Sequence, residues 1–580
     1  MKTHLFSQRR SHAFRGMLCA AFVVAVGCPP VCSAGNMQQL EIHGVNQQKV
    51  TVNGRVVDAN GIPIIGANVK EKGTSNGAIT DLDGRFTLKA SSKSMLEISF
   101  IGYKTITMAA AQIQGKDIVL QEDTEQIDEV VVIGYGTQRK GDVTSAISSV
   151  KAEDFTMGKV GDAAELVKGK VAGLTIAKGT GDPNASSTIR LRGVISVNGS
   201  TTPLVLVDGV EGSLNSVAPE NIESIDVLKD ASAAAIYGTR GANGVILITT
   251  KNGRREEKAS VTYSGYVSAS MFNNKLDMMD AQDIREGKTD FTDEGADTDW
   301  MDVISRTGFT HNHNVNITGG GRKTTYSADV TYRKENGIIE TTYGEDIRMR
   351  FDVSHWLLND MLKLNFNLIQ RWHKNNVTNA TSNWFTNSYL QAIMRNPTAP
   401  VYNEDGSYNE NFSANEYYNP MELLNEHQGE YSYGRTRAMG NITFEPIRNW
   451  KTNLMLSTNR LAEHTKEYNT SKYWDCIQYG YNGYAGHNNR NSRTDNLELT
   501  SMYDFNADKH RMNALVGYSY QYYTWEENYA NNKNFPTEFF KWDNLAAGSY
   551  LKDGKAGMGS SRNDNKLIGF FARVSYAYVN

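Results

Sequence analysis

The chain is poor in cysteine, with four in 580 residues, at positions 19, 28, 32 and 476. A fold stapled by several disulfides is therefore excluded, and stability has to come from packing and sheet closure. A surplus of charge is also lacking: 60 Lys and Arg stand against 64 Asp and Glu, a formal net charge of −4, so no basic bias marks the chain for nucleic acid. Beyond residue 30 no apolar run approaches the roughly 20 residues that a membrane-spanning helix needs. Catalytic constellations are missing as well. His464-Thr-Lys-Glu467 has the spacing of some zinc sites, but it falls in a polar loop with no third ligand in context. His311 and His313, two apart on one strand face, read as polar groups of a wall or lumen rather than a metal site. Gly134-Tyr-Gly136 lacks the third glycine of a dinucleotide loop. No enzymatic role, metal or cofactor is expected.

What is present begins with a leader. Lys2, Arg9, Arg10 and Arg15 precede an apolar run from Met17 to Val26, then Pro29, Pro30 and the small-residue site Cys32-Ser33-Ala34. This is the pattern of a Sec-type signal peptide cleaved after Ala34, residues 1–34, with lipidation at Cys28 as the weaker alternative. Cleavage removes three of the cysteines and leaves Cys476 without an intrachain partner. An exported chain without a spanning helix can enter a membrane only as a closed β-barrel.

Residues 48–121 carry short strand-like runs, such as Gly84-Arg-Phe-Thr-Leu88 and Met95-Leu-Glu-Ile-Ser-Phe100, separated by Asn60-Gly61, Lys72-Gly73 and Asp83-Gly84. Turn chemistry at that spacing predicts a small β-sandwich. Asp81-Leu-Asp-Gly84 reads as a hairpin turn rather than a calcium loop, because Ser92 stands where the closing Glu of an EF-hand would be. An acidic linker follows, and within it Asp128, Glu129, Val130, Val131, Val132, Ile133 and Gly134 form a β-branched run beside a polar tether. Such a run can add itself to the sheet edge of another protein; the alternative is the first strand of the next domain.

From Thr202 to Gly253 the texture is small-residue and compact. Leu204–Val207 and Val245–Ile248 are unbroken apolar runs bounded by Asp208-Gly209 and by Gly241, Asn243 and Gly244, which predicts strands buried on both faces. Between them Ile222, Ile225, Val227 and Leu228 fall at helical spacing, followed by an alanine-rich segment, so helix, turn, helix is expected from Pro219 to Tyr237.

After residue 256 alternation takes over. Tyr326, Ala328, Val330 and Tyr332 oppose Ser327, Asp329, Thr331 and Arg333; Ile347, Met349, Phe351 and Val353 oppose Arg348, Arg350, Asp352 and Ser354. About ten such strands are legible, near 259–269, 310–319, 323–335, 345–355, 361–371, 436–446, 450–460, 495–506, 510–523 and 566–578. Their connections alternate between long and short, which is the signature of an outer-membrane barrel and has no reason to arise in a β-sandwich. The long loops are dense in aromatics among amides. Trp384, Tyr389, Tyr417, Tyr418 and Trp474 are candidates for ligand contact, with interfacial packing as the other use of such rings.

Three segments in order, DEVVVIGYGTQRKGDVTSAISSV, LRGVISVNGSTTPLVLVDGV and IESIDVLKDASAAAIYGTRGANGVILITTK, resemble the plug region of the SusC/RagA family of TonB-linked outer-membrane receptors. VTVNGRVVDANGIPIIGANVKEKGTSNGAITDLDGRFTL is similar to the carboxypeptidase-regulatory-like domain common at the start of such proteins, a name that implies no peptidase activity. The fold class expected is therefore mainly β: the sandwich at 48–121, a linker at 122–138, a small α/β plug at 139–255, and at 256–580 the first part of a transmembrane antiparallel barrel. The resemblance implies a closed barrel of about 22 strands, so about ten would be an incomplete wall. It implies further that 128–134 is the TonB box, and that Arg190, Arg192, Gly193, Asp208, Gly209, Tyr237, Gly238, Arg240, Gly241, Asn243 and Gly244 are plug motif positions. Arg190, Arg192 and Arg240 are expected to hold the plug against carboxylates of the barrel wall. Import of a glycan or peptide would then be energised by TonB, from a periplasmic amino-terminal domain and tether to extracellular long loops. A SusD-like surface lipoprotein would lid the barrel, in an assembly that the resemblance allows to be a dimer of the pair. A non-transporting binding or adhesion protein on the same architecture is the competing reading, and a surface hydrolase the third.

Overall fold

The computed structural model describes residues 49–578 except 60, 73, 75, 92–93, 101–102, 122–129, 133–136, 140–146, 156–157, 159, 179–181, 186, 194–200, 231–234, 274–275, 379–385, 411–417 and 508. The chain divides into two compact units, Met1–Ile127 and Asp128–Asn580.

In the first unit, the described strands form two sheets. One holds Lys49–Val57 antiparallel to Arg85–Ser91 and parallel to Asp117–Val119; the other orders Gly77–Ile79, Asn68–Glu71, Met95–Ser99 and Ile106–Ala109. Period-two burial places Phe86, Leu88 and Ala90 of one sheet, and Leu96, Ile98 and Val69 of the other, in one core. The expected sandwich is present. The Asp81 carboxylate accepts the backbone N–H groups of Asp83 (3.0 Å) and Arg85 (2.8 Å), which makes this segment a tight turn, though not the expected hairpin, because the strands on either side, Gly77–Ile79 and Arg85–Ser91, lie in different sheets.

The second unit has two parts. A five-stranded sheet comprises β1 (Ile147–Lys151), β2 (Leu204–Val207), β3 (Val210–Glu211), β4 (Ile222–Leu228) and β5 (Val245–Thr250), ordered β1-β4-β5-β2-β3. The two apolar runs are strands, β2 and β5, and they pair in parallel. The helix expected over 222–228 is a strand instead. Ile222, Ile225, Val227 and Leu228 are β-branched or bulky, and β4 lies antiparallel to both β1 and β5, so residues that match a helical period are buried because both faces of a central strand are covered. The alanine-rich segment that follows ends in tight turns over Ala235–Gly241, broken at Gly238, where φ is 60°. A single helical turn, α1 (Ala163–Leu166), packs its apolar face beneath this sheet. Asp162 caps it by accepting the N–H groups of Ala164 (2.9 Å) and Glu165 (3.2 Å).

Ten antiparallel strands then follow in chain order: β6 (Ser260–Ser270), β7 (Gly308–Gly320), β8 (Thr324–Asn336), β9 (Tyr343–Leu357), β10 (Leu362–Asn376), β11 (His427–Ile447), β12 (Trp450–Asn469), β13 (Tyr484–Ala507), β14 (His510–Lys533) and β15 (Gly557–Tyr578). All ten sequence-predicted strands are present. Those from β11 onward are far longer than the apolar alternation shows, because their added residues are polar on both faces and carry no period-two signal. One face turns Val330, Phe351, Phe366, Leu456 and Phe505 outward, while the other buries Asn314, Asp329, Thr331, Arg348, Arg350 and Asp352 against the five-stranded domain. A wall apolar outside and polar inside suits a hydrocarbon exterior.

The loops at one end hold short helices: α2 (Ala281–Arg285), α3 (Trp300–Ile304), α4 (Ser388–Met394), α5 (Pro420–Asn425) and α6 (Trp474–Tyr479). Trp300, Met301, Ile304, Ile339, Ala392 and Leu424 form a core among them. The long loops are thus folded into a cap. No helix of the described residues is long and apolar enough to cross a membrane.

Candidate functional site

The plug sheet is held to the wall through polar contacts whose direction differs from the sequence expectation. Arg192 and Arg240 do not reach wall carboxylates. They pair within their own domain, Arg192 with Asp230 at 2.5 Å and Arg240 with Glu211 at 3.3 Å. The arginines that cross the interface belong to the wall. Arg348 donates to the carbonyls of Val217 (3.3 Å) and Gly161 (3.5 Å), Arg333 to Gly161 (3.4 Å), Arg350 to Lys251 (2.9 Å) and to the Asn252 side chain, and Arg435 to the Ser213 hydroxyl (2.7 Å). The reversal has a physical cause. The carbonyls of Gly161, Val217 and Lys251 lie outside the plug's strands and have no ladder partners there, and a guanidinium with five donors can satisfy several such groups at once.

Amides and carboxylates complete the seam. Asn221 donates to Asp329 at 2.6 Å, Asn312 to Glu220 at 2.7 Å, and Gln521 to Glu211 at 3.1 Å. Gly161 sits so close to Arg333 that an added Cβ would meet its Nη1 at 2.8 Å. These wall residues were not singled out in the sequence. Their strand alternation marks a polar face but does not say what that face touches.

The motif positions have local structural roles. Asp208 (φ 50°) and Gly209 (φ 86°) make the two-residue turn between β2 and β3, where both central residues need positive φ. The Asp208 carboxylate also accepts from the Thr250 N–H (3.0 Å) and hydroxyl (2.8 Å), tying that turn to the end of β5. Gly244 has φ 85°, and a Cβ there would lie 2.2 Å from Leu191. Asn243 donates to the Thr202 carbonyl at 3.3 Å, and Arg190 lies on a short strand, Thr188–Leu191, paired with Leu174–Ala177. Arg192 and Gly193 follow that strand with positive φ, at 57° and 96°. Tyr237 is buried, which pushes its phenol pKa up. Gly241 accepts the Gly244 N–H at 2.9 Å.

Of the tether, Val130–Val132 pairs with Thr137–Arg139 as a small antiparallel hairpin, while Asp128, Glu129, Ile133 and Gly134 lie outside the described residues.

Between plug and wall, toward the long loops, is a polar cavity of about 530 Å³. Its plug side includes Asp162, Glu165, Lys178 and Asn184; its wall side includes Arg333, Asp346, Arg371, His373, Tyr431 and Tyr433. The charges are largely matched in place. Arg371 and Arg348 both bond to Asp346, at 3.0 Å each, Arg333 bonds to Glu335, and the Tyr431 hydroxyl donates to Glu463. Tyr433 lies under Arg371, 5.1 Å from guanidinium carbon to ring centre. Paired ions and aromatic faces of this kind offer directional hydrogen bonds and stacking without a strong net field.

Among the loop aromatics, Trp384 and Tyr417 lie outside the described residues. Tyr418 and Trp474 stack on each other at 4.5 Å, and Tyr389 stacks on Phe272 at 6.2 Å, so these rings are packed within the cap. His311 and His313 are on the outward face of β7, where the Tyr263 hydroxyl lies 2.8 Å from His313 Nδ1. His464 and Glu467 are on strand β12 rather than in a loop, and their odd spacing sends them to opposite faces. Among the described residues no three His, Cys, Asp or Glu side chains gather as a metal site.

Comparison with known proteins agrees with this geometry. The TonB-dependent receptor plug domain matches residues 139–245, and the CarboxypepD_reg-like domain matches 52–132. TonB-dependent receptor SusC of Bacteroides thetaiotaomicron is 37% identical over 379 residues, 62% of this chain and 37% of that protein. A TonB-dependent receptor of Formosa agariphila is 30% identical over 548 residues, 90% of this chain and 54% of that protein. A solved structure of the RagAB peptide importer shares the fold, with a TM-score of 0.66 at 21% identity over 78% of this chain and 55% of that one. The chain thus spans about half the length, or less, of the relatives it matches. A plug domain followed by an antiparallel, outwardly apolar wall is the architecture of a TonB-dependent receptor. Within that class, over the length it spans, the chain is of the SusC/RagA family and carries the carboxypeptidase-regulatory-like domain at its amino-terminal side.

Proposed function

We propose that the whole receptor imports a large nutrient across the outer membrane, with the plug as the gate. The observation that carries this reading is the seam itself: a folded domain is held inside a membrane wall mainly by polar contacts, arginine to carbonyl foremost, with small apolar contacts at Ile369 and at Val210 against Met439 and Met455. Polar contacts of about 0.5–3 kcal/mol each can be released one after another and re-formed, whereas a fused core would need wholesale unfolding.

In this reading the long loops face the cell exterior and the tether at 128–134 faces the periplasm. The Val130–Val132 run, freed from its hairpin, adds as a strand to TonB, and pulling on it displaces part of the plug. The cavity of about 530 Å³ on the long-loop side of the plug is the first internal station for the ligand. Its matched charges and Tyr431 and Tyr433 suit an uncharged or zwitterionic polymer, a glycan or a peptide, captured together with a SusD-like lipoprotein. The RagAB relative is a peptide importer by name, and the glycan alternative rests on the family resemblance alone. The protein itself does no covalent chemistry.

Deleting residues 128–134 from the full-length receptor tests this reading. In host cells fed glycans or peptides as sole carbon source, the deletion is expected to abolish growth that the intact receptor supports, while the purified variant binds the same ligand with unchanged affinity. Growth equal to that of the intact receptor would point to a binding or adhesion role.

A further inference from the structure

The folded cap contains a second cavity, of about 420 Å³, distinct from the one between plug and wall. It lies between helix α4 and the loop that joins β6 to β7. Leu276, Met278, Met279, Phe291, Trp300 and Met394 give it an apolar side beside its polar lining. Leu276 is 55% exposed, Met279 51% and Phe291 38%, values that belong to a hollow left open rather than to a core. Open apolar surface is unfavourable at about 25 cal/mol per Å², and a clustered, concave patch of it marks a place where something binds. Methionine thioethers adapt their shape to what they meet.

The mouth of the hollow is acidic. Exposed Asp277, Asp280, Asp297 and Asp299 rim it. From Leu276 to Asp302 there are ten acidic residues and two basic ones, Arg285 and Lys288. Both bases are engaged locally: Arg285 with Asp293 at 3.2 Å, Lys288 with Asp283 at 2.5 Å and Glu286 at 3.1 Å. Arg395, the cation in the lining, is turned to Glu410 at 3.6 Å and lies over the Trp300 ring. The field over the opening is therefore negative, and it favours a cationic visitor.

The hollow is also preformed. The loop is laced to the segment after α4 by Ala296 N–H to the Thr398 carbonyl (2.8 Å), Thr298 N–H to the Pro397 carbonyl (2.8 Å) and Trp300 Nε1 to the Asn396 carbonyl (2.9 Å). A rigid site forfeits little entropy when it is filled.

We propose that this cleft docks a segment of a partner protein at the cell surface, one that presents two or three apolar side chains flanked by lysine or arginine. The proposal uses the outward placement of the long loops but not transport, so it stands or falls separately from import.

The test uses the purified full-length receptor in detergent and three short fluorescent peptides: a Leu-Met-Phe centre flanked by lysines, the same centre flanked by glutamates, and a lysine-only peptide. Saturable binding is expected for the first alone, weakening about tenfold between low salt and 0.5 M salt. The pair Asp277→Asn with Asp297→Asn, and separately Met279→Gln, should each weaken it about tenfold with the melting temperature unchanged; these side chains are exposed and not part of the cap core. Equal binding of the lysine- and glutamate-flanked peptides overturns the proposal, as does binding of none. Protection of Met279→Cys from thiol reagents in the receptor alone, in a Cys476→Ser background, also overturns it, since the cleft would then be filled by this chain or a second copy.

Discussion

Arg348 shows how much one side chain of the wall is asked to do. It is buried, it bonds to Asp346, and it reaches two plug carbonyls on separate segments, Gly161 and Val217. Replacing it with alanine leaves those carbonyls without that donor and removes one of the two arginines on Asp346. The expected cost is about 3–5 kcal/mol, seen as earlier proteolytic release of the plug on heating the full-length receptor. Arg348→Lys should restore little, because an ammonium cannot bridge three acceptors in one plane. Gly244 is the opposite case, a residue needed for what it lacks. At φ 85°, with Leu191 2.2 Å from a would-be Cβ, Gly244→Ala should cost about 2–4 kcal/mol and reduce the amount of folded receptor recovered from membranes. Turn residues of this kind were legible in the sequence, because glycine beside Asn or Asp has few other uses. The arginine seam was not: Arg348 and Arg350 announce a polar strand face, but the carbonyls they bind come from residues some hundred or more positions earlier in the chain.

At the scale of elements, β4 and the long strands mark where sequence pattern misleads. The spacing of Ile222, Ile225 and Leu228 fits a helix, yet pairing on both sides makes the segment a central strand, and tertiary neighbours override a local period. The ends of β11 to β14 were hidden because both of their faces are polar. The cap was hidden for a different reason, since its core draws single residues from several loops. Inside it, α5 carries Glu422, wholly buried, which accepts the Trp474 N–H at 2.8 Å and so joins two loops. Burial raises its pKa, and nearby Glu410, which accepts the Asn419 N–H at 2.8 Å, has its pKa pushed up to about 7 by burial despite Arg395. A carboxyl raised above its unfolded value binds its proton more tightly in the folded cap. Its stabilising effect is therefore full below about pH 4.5 and lost as the pH rises through about 7. Amide hydrogen exchange in α5 and α6 should accordingly quicken, beyond the intrinsic rate change, between pH 5.5 and pH 8, and Glu410→Gln should flatten that dependence.

For the whole molecule the proposed function makes the plug a gate seated in a wall, with a polar cavity on its long-loop side and a tether that precedes it in the chain. Sandwich, plug and alternating wall were each legible and follow in the expected order, while the leader at 1–34 lies outside the described residues; the loop lengths alone set the two ends of the wall apart. How plug and wall grip each other was not legible, and that grip is where the proposed transport acts. The most direct measurement is therefore to fasten it. Asn221→Cys and Asp329→Cys, whose native side chains touch at 2.6 Å across the seam, are placed in the full-length receptor with Cys476→Ser and joined by a cleavable thiol cross-linker. Uptake of the nutrient on which the host grows should stop when the link is made and return when it is cleaved, with ligand binding the same in both states. Uptake that continues at the same rate through the linked receptor would contradict a moving plug.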